Sequence, residues 1–186
     1  LPASIEIRKE IKSADGIVEA DPTQIHQVMM NLCTNAAHAM RQKGGTLKVD
    51  LSNVVLDSDF TDRHQDLKPG PYLKLIVSDT GHGMPPHILE RIFEPFYTTK
   101  GKGEGTGLGL SVVHGIVMNH DGAITLESEM GKGTQFQVYL PIIDSLTVIA
   151  PEEDAKQAPM GDECILFVDD EEIVVDASKR ILERLG

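Results

Sequence analysis

The sequence contains no tryptophan, has aromatic side chains at only 4% of its positions, and carries fewer basic than acidic residues. Its 17 Lys and Arg residues against 29 Asp and Glu residues give a formal net charge of −12. A surface that binds nucleic acid phosphates or an anionic membrane needs the opposite excess of charge. We therefore expect no nucleic acid partner and no direct membrane contact by this segment.

Long apolar runs and cysteine clusters are also missing. No stretch approaches the roughly 20 apolar residues of a membrane-spanning helix, and no secretory signal is present. The two cysteines, Cys33 and Cys164, indicate neither a disulfide framework nor a zinc site. These absences predict a cytoplasmic segment and leave open whether a longer parent protein is anchored in a membrane.

The first half of the chain predicts four strands and one long helix. Asp21 is a suitable helix N-cap, and Gln24 stands at the capping-box position. Apolar residues then recur at helical spacing as far as Met40, and Gly44 with Gly45 ends the helix. The predicted strands are 4–11, 16–20, 46–56 and 72–79, with a loop at 57–71.

The next part of the chain alternates loop, helix and strands. The stretch 80–107 is dense in glycine and proline and predicts a long loop with a short helix at 86–92. A helix at 108–119 follows, and two strands at 123–129 and 134–140 flank a tight turn.

The C-terminal part has a different composition. Residues 144–161 are rich in Pro, Ala, Glu and Asp and predict a linker. In the final segment, 162–186, an apolar strand ends at Asp169 and Asp170, and an amphipathic helix follows. One strand and one helix cannot bury a core, so this segment predicts the start of a further domain.

Two asparagines on the long helix form the first candidate constellation. Asn31 and Asn35 are four residues apart and therefore share one helix face. The spacing alone is compatible with an ordinary solvated face. It is also compatible with two carboxamide oxygens offered to a hard cation such as Mg²⁺.

The second constellation, 79–83, follows a buried strand. A carboxylate at the end of a strand, here Asp79, can accept a hydrogen bond from an exocyclic amine such as that of adenine. Glycines after it, Gly81 and Gly83, allow the backbone to approach a flat base closely. An ordinary Asp-X-Gly turn has the same pattern.

The third constellation is a run of alternating glycines, 101–110, that leads into a helix. Its exposed N–H groups and the helix N-terminus form an anion site suited to phosphates, and Lys100 and Lys102 add positive charge. The spacing matches neither a P-loop nor a dinucleotide fingerprint.

In this order, the motifs resemble the Bergerat-fold ATP-binding domains of histidine kinases, gyrase-type topoisomerases, mismatch-repair ATPases and a chaperone. The resemblance covers 1–143 and implies an α+β fold, a two-layer α/β sandwich with a mixed sheet. Residues 27–36 resemble the asparagine box, 79–83 the first glycine box, 93–100 the phenylalanine box of histidine kinases, 103–111 the second glycine box, and 131–141 the closing hairpin.

The resemblance implies ATP and Mg²⁺ as cofactors and a role for each box. Asn35 would coordinate Mg²⁺, Asn31 would lie beside the phosphates, and Asp79 would bind the adenine amine. Thr134 would support the adenine, and Phe93 and Phe96 would anchor a lid over the nucleotide. His38 stands where some relatives have a basic residue, and its role is open. The base and phosphate contacts would come from Gly81, Gly83, Lys100, Gly103, Gly105, Thr106, Gly107, Leu108 and Gly109.

Asn31 also separates two classes within this superfamily. Hydrolysing relatives carry a glutamate at that position, which acts as the general base for water. A carboxamide cannot accept a proton, so water attack should be slow and ATP should be preserved for transfer to a histidine. Asn31 and Lys100 are accordingly the candidate catalytic residues.

The C-terminal segment resembles the first strand of a response-regulator receiver domain. In such domains an acidic pair, here Asp169 and Asp170, binds Mg²⁺ beside a phosphoacceptor aspartate. A catalytic domain at 1–143, a linker at 144–161 and a receiver fragment at 162–186 together imply a hybrid kinase in a phosphorelay.

None of the seven histidines matches a phosphoacceptor, which in such kinases lies on a separate dimerisation domain. We therefore expect a homodimeric parent that supplies that domain, with a receiver domain or response regulator as a further partner, and no autophosphorylation by this chain alone. Two alternatives stay open: a Bergerat-fold ATPase or anti-sigma-type serine kinase, and a non-catalytic nucleotide-sensing module.

Overall fold

The computed structural model describes residues 4–12, 16–61, 67–99 and 106–143. A five-stranded mixed sheet with the strand order β1-β2-β3-β5-β4 forms one layer, and the two longest helices form the other. The elements are β1 (Ile5–Lys12), α1 (Pro22–Ala39), β2 (Gly45–Leu56), α2 (Ser58–Thr61), β3 (Gly70–Asp79), α3 (Pro86–Leu89), α4 (Gly109–Asn119), β4 (Ala123–Glu129) and β5 (Gly133–Pro141). The two-layer α/β sandwich expected from the sequence is confirmed.

Strand pairing explains why the sheet is mixed. β1 runs parallel to β2, whereas β2–β3, β3–β5 and β4–β5 are antiparallel. β3 lies in the centre of the sheet and ends at Asp79, and β5 aligns Thr134 beside it. Because side chains alternate between the two faces of a strand, one register places every second residue against the helices.

The main core lies between the sheet and the helices α1 and α4. Val28, Leu32 and Ala36 form the buried stripe of α1, and Val113 and Val117 form that of α4. The core of the sheet face consists of Leu47, Val77, Phe136, Val138 and Leu140. The apolar periodicity read from the sequence is therefore the stripe that α1 buries.

The expected residue, Asp21, caps the N-terminus of α1, but the backbone N–H of Asp21 has a different partner from the one predicted. Asp21 caps the helix, because its Oδ1 accepts a hydrogen bond from the N–H of Thr23 at 2.7 Å. The backbone N–H of Asp21 donates to Nε2 of His120 at 3.2 Å, an exposed contact with the residue that ends α4. A histidine from another helix thus occupies the place that the capping-box pattern assigned to Gln24.

Two sequence predictions are wrong in this part of the fold. Residues 16–20 do not form a strand, and only Ile17 pairs, in an isolated bridge with Ile143. Both edges of β5 are already paired with β3 and β4, so the bridge forms just beyond the end of β5. The predicted loop at 57–71 contains the one-turn helix α2, whose Phe60 packs with Tyr139 on the sheet face opposite α1 and α4.

The boundaries of the remaining elements agree with the sequence to within a few residues, except that α1 ends at Ala39 and a turn leads to Gly44. Among the described residues, no helix is both long and apolar enough to cross a membrane. The predicted linker and receiver fragment lie outside the described residues.

Candidate functional site

The polar face of α1 meets the start of α4. The amide nitrogen of Asn31 donates to the carbonyl of Gln27 at 3.0 Å, which leaves the amide oxygen Oδ1 directed away from that turn. This oxygen lies 2.8 Å from the place where a Cβ of residue 109 would stand. Glycine at position 109 therefore allows the helix N-terminus and the Asn31 oxygen to lie side by side, and the structure brings these two predicted residues together.

The N-terminus of α4 has the character of an anion site. Leu108 occupies the N-cap position and makes no side-chain capping hydrogen bond. The N–H of Leu108 donates to Oγ1 of Thr106 at 3.4 Å, and Oγ of Ser111 donates to the carbonyl of Leu108 at 2.9 Å. The first turn of α4 thus presents backbone N–H groups and the positive end of a helix dipole beside Asn31.

Asp79 is a buried carboxylate at the end of β3, with 9% of its surface exposed. Burial raises the pKa of this carboxyl, and hydrogen bonds from the backbone N–H groups of Gly81 and Thr134 oppose the shift. The Gly81 bond measures 2.8 Å to Oδ1. A carboxylate with several lone pairs and few donors around it can accept a further hydrogen bond from a ligand.

The glycines after Asp79 are required by close backbone contacts. A Cβ on Gly81 would lie 2.6 Å from the Cβ of Ala39 at the end of α1. Gly83 has φ of 66°, and a Cβ there would overlap the carbonyl oxygen of Glu129 in the β4–β5 turn. The segment 79–83 is thus packed between α1 and the β4–β5 hairpin. We call this segment the wall of the site, because Gly81 and Gly83 have no side chains that would keep a flat ring away from it.

Thr134 and a residue that the sequence reading missed complete this wall. Thr134 is buried, pairs with Asp79 across β3–β5 and with Ser128 across β4–β5. The Ser128 hydroxyl accepts from the N–H of Met84 at 2.9 Å and lies 2.9 Å from the Thr134 hydroxyl. Ser128 could have been noticed because it is the polar member of the otherwise apolar alternation Ile124, Leu126, Ser128.

The two phenylalanines expected to anchor a lid behave differently. Phe93 is half-buried and its ring lies 5.3 Å from that of His114 on α4. Phe96 is 74% exposed and has a positive φ of 66°, and its role as a lid anchor stays a prediction. The backbone N–H of Phe96 donates to the carbonyl of Gly107 at 2.9 Å, which joins the described residues before position 100 to those after position 105.

The remaining predicted site residues lie on α1 or outside the described residues. Asn35 is half-buried one turn after Asn31 on the same helix face, and His38 is half-buried near it. Within the described ranges, no group of three or more His, Cys, Asp or Glu side chains could hold a metal ion by itself. Lys100, Gly103, Gly105, Asp169 and Asp170 lie outside the described residues.

Comparison with known proteins gives a family match. Residues 20–144 match the family described as histidine kinase-, DNA gyrase B-, and HSP90-like ATPase. The sensor kinase CckA of Brucella abortus is 40% identical over 177 residues, which cover 91% of this chain and 19% of that protein. The sensor histidine kinase ZraS of Salmonella typhimurium is 40% identical over 126 residues, covering 68% of this chain and 23% of that protein. The chain thus spans about a fifth of the length of these curated relatives.

Solved structures show the same fold. The catalytic domain of histidine kinase ThkA, in a nucleotide-free form, superposes with a TM-score of 0.58 and 31% identity, covering 75% of this chain and 80% of that one. The full-length ShkA structure in complex with AMPPNP superposes with a TM-score of 0.56 and 26% identity, covering 98% of this chain and 34% of that one.

Proposed function

Because the chain belongs to the histidine kinase-, DNA gyrase B- and HSP90-like ATPase family, we propose that its parent transfers the γ-phosphoryl group of ATP to a histidine. The chain supplies the ATP-binding catalytic domain of a two-component sensor histidine kinase. The acceptor histidine lies on a dimerisation domain of the parent.

The observation that carries this proposal is the Asn31 carboxamide at the N-terminus of α4. Its nitrogen is engaged by Gln27, so its oxygen faces the anion site. A carboxamide oxygen in that place can accept hydrogen bonds or contact a cation held by the phosphates, but it cannot take a proton from water. The arrangement favours phosphoryl transfer to a protein side chain over hydrolysis, and so favours a kinase over an ATPase.

The proposal assigns the remaining roles to the residues of the predicted motifs. Asp79 accepts from the adenine amine, Gly81 and Gly83 line the base, and Thr134 supports it. The phosphates lie toward the first turn of α4, where N–H groups stabilise charge on the transferring group. The predicted phosphate-binding residues are Lys100, Gly103, Gly105, Thr106, Gly107, Leu108 and Gly109, of which the last four directly precede or begin α4.

Magnesium fits the oxygen donors of this face. Asn31 offers a carboxamide oxygen beside the anion site, and Asn35 stands one turn further along α1. Mg²⁺ prefers one or two protein oxygens together with substrate phosphates to an all-protein cage. Asn35 would hold the ion, which supplies positive charge to the phosphates when bound.

We also propose that the parent is a cytoplasmic-facing hybrid kinase. The similarity to the Brucella sensor kinase covers 91% of this chain, more than residues 1–143 can supply, so it continues into the segment with Asp169 and Asp170. That pair would bind Mg²⁺ in an intact receiver domain. The parent would be a homodimer, and its phosphoryl group would pass to a receiver domain or response regulator.

Calorimetric titration of the 186-residue chain with ADP, with and without Mg²⁺, tests the nucleotide role. We expect saturable binding that Mg²⁺ strengthens, and we expect Asn35→Ala to bind ADP with little or no magnesium dependence. Thr34→Ala, an exposed neighbour on the same helix, is the matched control and should keep that dependence. Absence of binding at millimolar ADP would reject the kinase assignment and favour a module that does not use nucleotides.

A further inference from the structure

Ser128 belongs to a row of three polar side chains across three strands. Asp79 on β3 is aligned with Thr134 on β5, and Thr134 is aligned with Ser128 on β4. Residues aligned across neighbouring strands point to the same face of a sheet. On this sheet face, Thr134 therefore lies between Asp79 and Ser128, and the neighbouring side chains of the face are apolar.

The hydrogen bonds of Ser128 determine the direction in which its neighbour donates. The Ser128 hydroxyl donates to the carbonyl of Gly133 at 3.0 Å and accepts from the N–H of Met84 at 2.9 Å. A hydroxyl has only one hydrogen to donate. With the Ser128 hydrogen on the Gly133 carbonyl, the hydrogen of the 2.9 Å pair with Thr134 comes from the Thr134 hydroxyl.

The direction of this hydrogen bond limits how the Thr134 hydroxyl can contact a ligand. Once its hydrogen points to Ser128, the Thr134 oxygen can only accept from the ligand side. Asp79, aligned beside it, is an acceptor as well when ionised. The wall thus offers two neighbouring acceptors, which suit an exocyclic amino group with two N–H bonds and oppose a carbonyl oxygen at the same position of a purine.

We propose that Ser128 is a positioning residue that fixes the Thr134 hydroxyl as an acceptor and thereby selects 6-amino purines over 6-oxo purines. The proposal rests on the nucleotide-binding role given above. Without the Ser128 hydroxyl, the Thr134 hydroxyl can rotate and donate to a 6-oxo group, so the two classes of purine become harder to distinguish. The Met84 N–H and the Gly133 carbonyl also lose their side-chain partner.

The test compares ADP with inosine 5′-diphosphate, which has the same sugar and phosphates but a 6-oxo base. For the unmodified chain, calorimetry should give tighter binding of ADP. In Ser128→Ala, the ratio of the two dissociation constants should move toward unity by about tenfold, the effect of one hydrogen bond of ordinary strength. Ser128→Thr keeps the hydroxyl and should keep most of the ratio.

Three controls separate this role from a merely structural one. Ser78→Ala makes the same change on the opposite sheet face beside Asp79 and should leave the ratio unaltered. In a Thr134→Val background, Ser128→Ala should change the ratio no further, because the hydroxyl it orients is absent. Ser128→Cys, close to serine in size but weak in hydrogen bonding, replaces Ser128→Ala if melting curves show that the alanine variant is unfolded.

The outcomes are distinct. If the unmodified chain binds neither nucleotide, the proposed function fails. If it binds ADP but Ser128→Ala weakens both nucleotides equally or leaves the ratio unchanged, the nucleotide role stands and the positioning role of Ser128 is overturned. An unmodified chain that binds both nucleotides equally well overturns it too.

Discussion

The charge of the Asp79 side chain has opposite effects on folding and on ligand binding. It is 9% exposed, and burial raises its pKa because a charge loses hydration away from water. Two backbone N–H groups, from Gly81 and Thr134, recover part of that loss. The charge that costs stability is the same charge that makes Asp79 a strong acceptor for an amine.

Replacing Asp79 by Asn should separate these two effects. A raised carboxyl pKa favours the folded state at low pH, and this contribution is lost as the pH rises through the folded-state pKa. At neutral pH we therefore expect Asp79→Asn to be at least as stable as the unmodified chain, with an advantage that shrinks as the solution is acidified. ADP binding should weaken by about 1–3 kcal/mol, since the single amide oxygen keeps the hydrogen bond from the Gly81 N–H and an NH₂ group, a donor, then faces the amine.

Denaturant unfolding at a series of pH values, together with ADP titration, provides the measurement. Asp59→Asn removes the same charge from an exposed position on α2 and controls for net charge. Unchanged ADP affinity in Asp79→Asn would remove Asp79 from base recognition. A stability difference that grew on acidification would contradict the raised pKa.

At the scale of elements, the β4–β5 hairpin supports the glycine segment after β3. The N–H of Gly131 donates to the carbonyl of His82 at 2.8 Å, and the N–H of Met84 donates to Ser128. Gly83 lies so close to the carbonyl of Glu129 that only a hydrogen fits there. The base-binding wall is therefore a contact between two elements and not a property of either one.

Two glycines of this contact form a matched pair of substitutions. Gly83 and Gly131 both have positive φ, 66° and 79°, but a Cβ would meet the Glu129 carbonyl at Gly83 and no atom within 4 Å at Gly131. Gly131→Ala should cost about 1 kcal/mol for the left-handed conformation. Gly83→Ala should cost a further 1–3 kcal/mol or so, because the hairpin must move away, and should also weaken ADP binding.

Thermal unfolding of the two variants, with and without ADP, measures the difference. Equal losses of stability would mean that the glycine segment can leave the hairpin without cost. In that case the hairpin would not define the wall of the site.

At the scale of the whole domain, the core between α1, α4 and the sheet brings the site together. Leu32 is 1% exposed in that core, one residue after Asn31. Packing of α1 against α4 is what places the Asn31 oxygen beside Gly109, although the two residues are 78 positions apart in the sequence. The site thus depends on the core even where no core residue touches a ligand.

Leu32→Ala and Met30→Ala compare a buried and an exposed large side chain on the same helix. Leu32→Ala should lower the free energy of unfolding by about 2–5 kcal/mol, because it removes buried methyl groups and leaves a cavity. Met30 is 54% exposed, so Met30→Ala should change stability by no more than about 0.5 kcal/mol.

Chemical denaturation of both variants checks this comparison. A small effect of Leu32→Ala would mean that the helix layer can repack easily. The position of Asn31 relative to α4 would then have to be maintained by contacts other than this core.

Local patterns in the sequence were sufficient to predict most of the elements, and the order of the motifs, through its resemblance to a known superfamily, implied the fold class and the candidate site residues. The apolar period of α1, the alternation of the strands and the positions of Asp79, Gly81, Gly83 and Asn31 are all properties of short segments. Such properties depend on backbone geometry and side-chain type, which neighbouring residues determine. They can therefore be predicted from the sequence without knowledge of the tertiary structure.

What only the tertiary structure decided are the contacts between distant segments. These include the pairing of the Asp21 N–H with His120, the exposure of Phe96, the approach of Asn31 to Gly109, and the row in which Ser128 stands behind Thr134. Each depends on strand register or helix packing between residues far apart in the chain. Because a shift of one residue in register turns a side chain to the other face, no local pattern could have determined them.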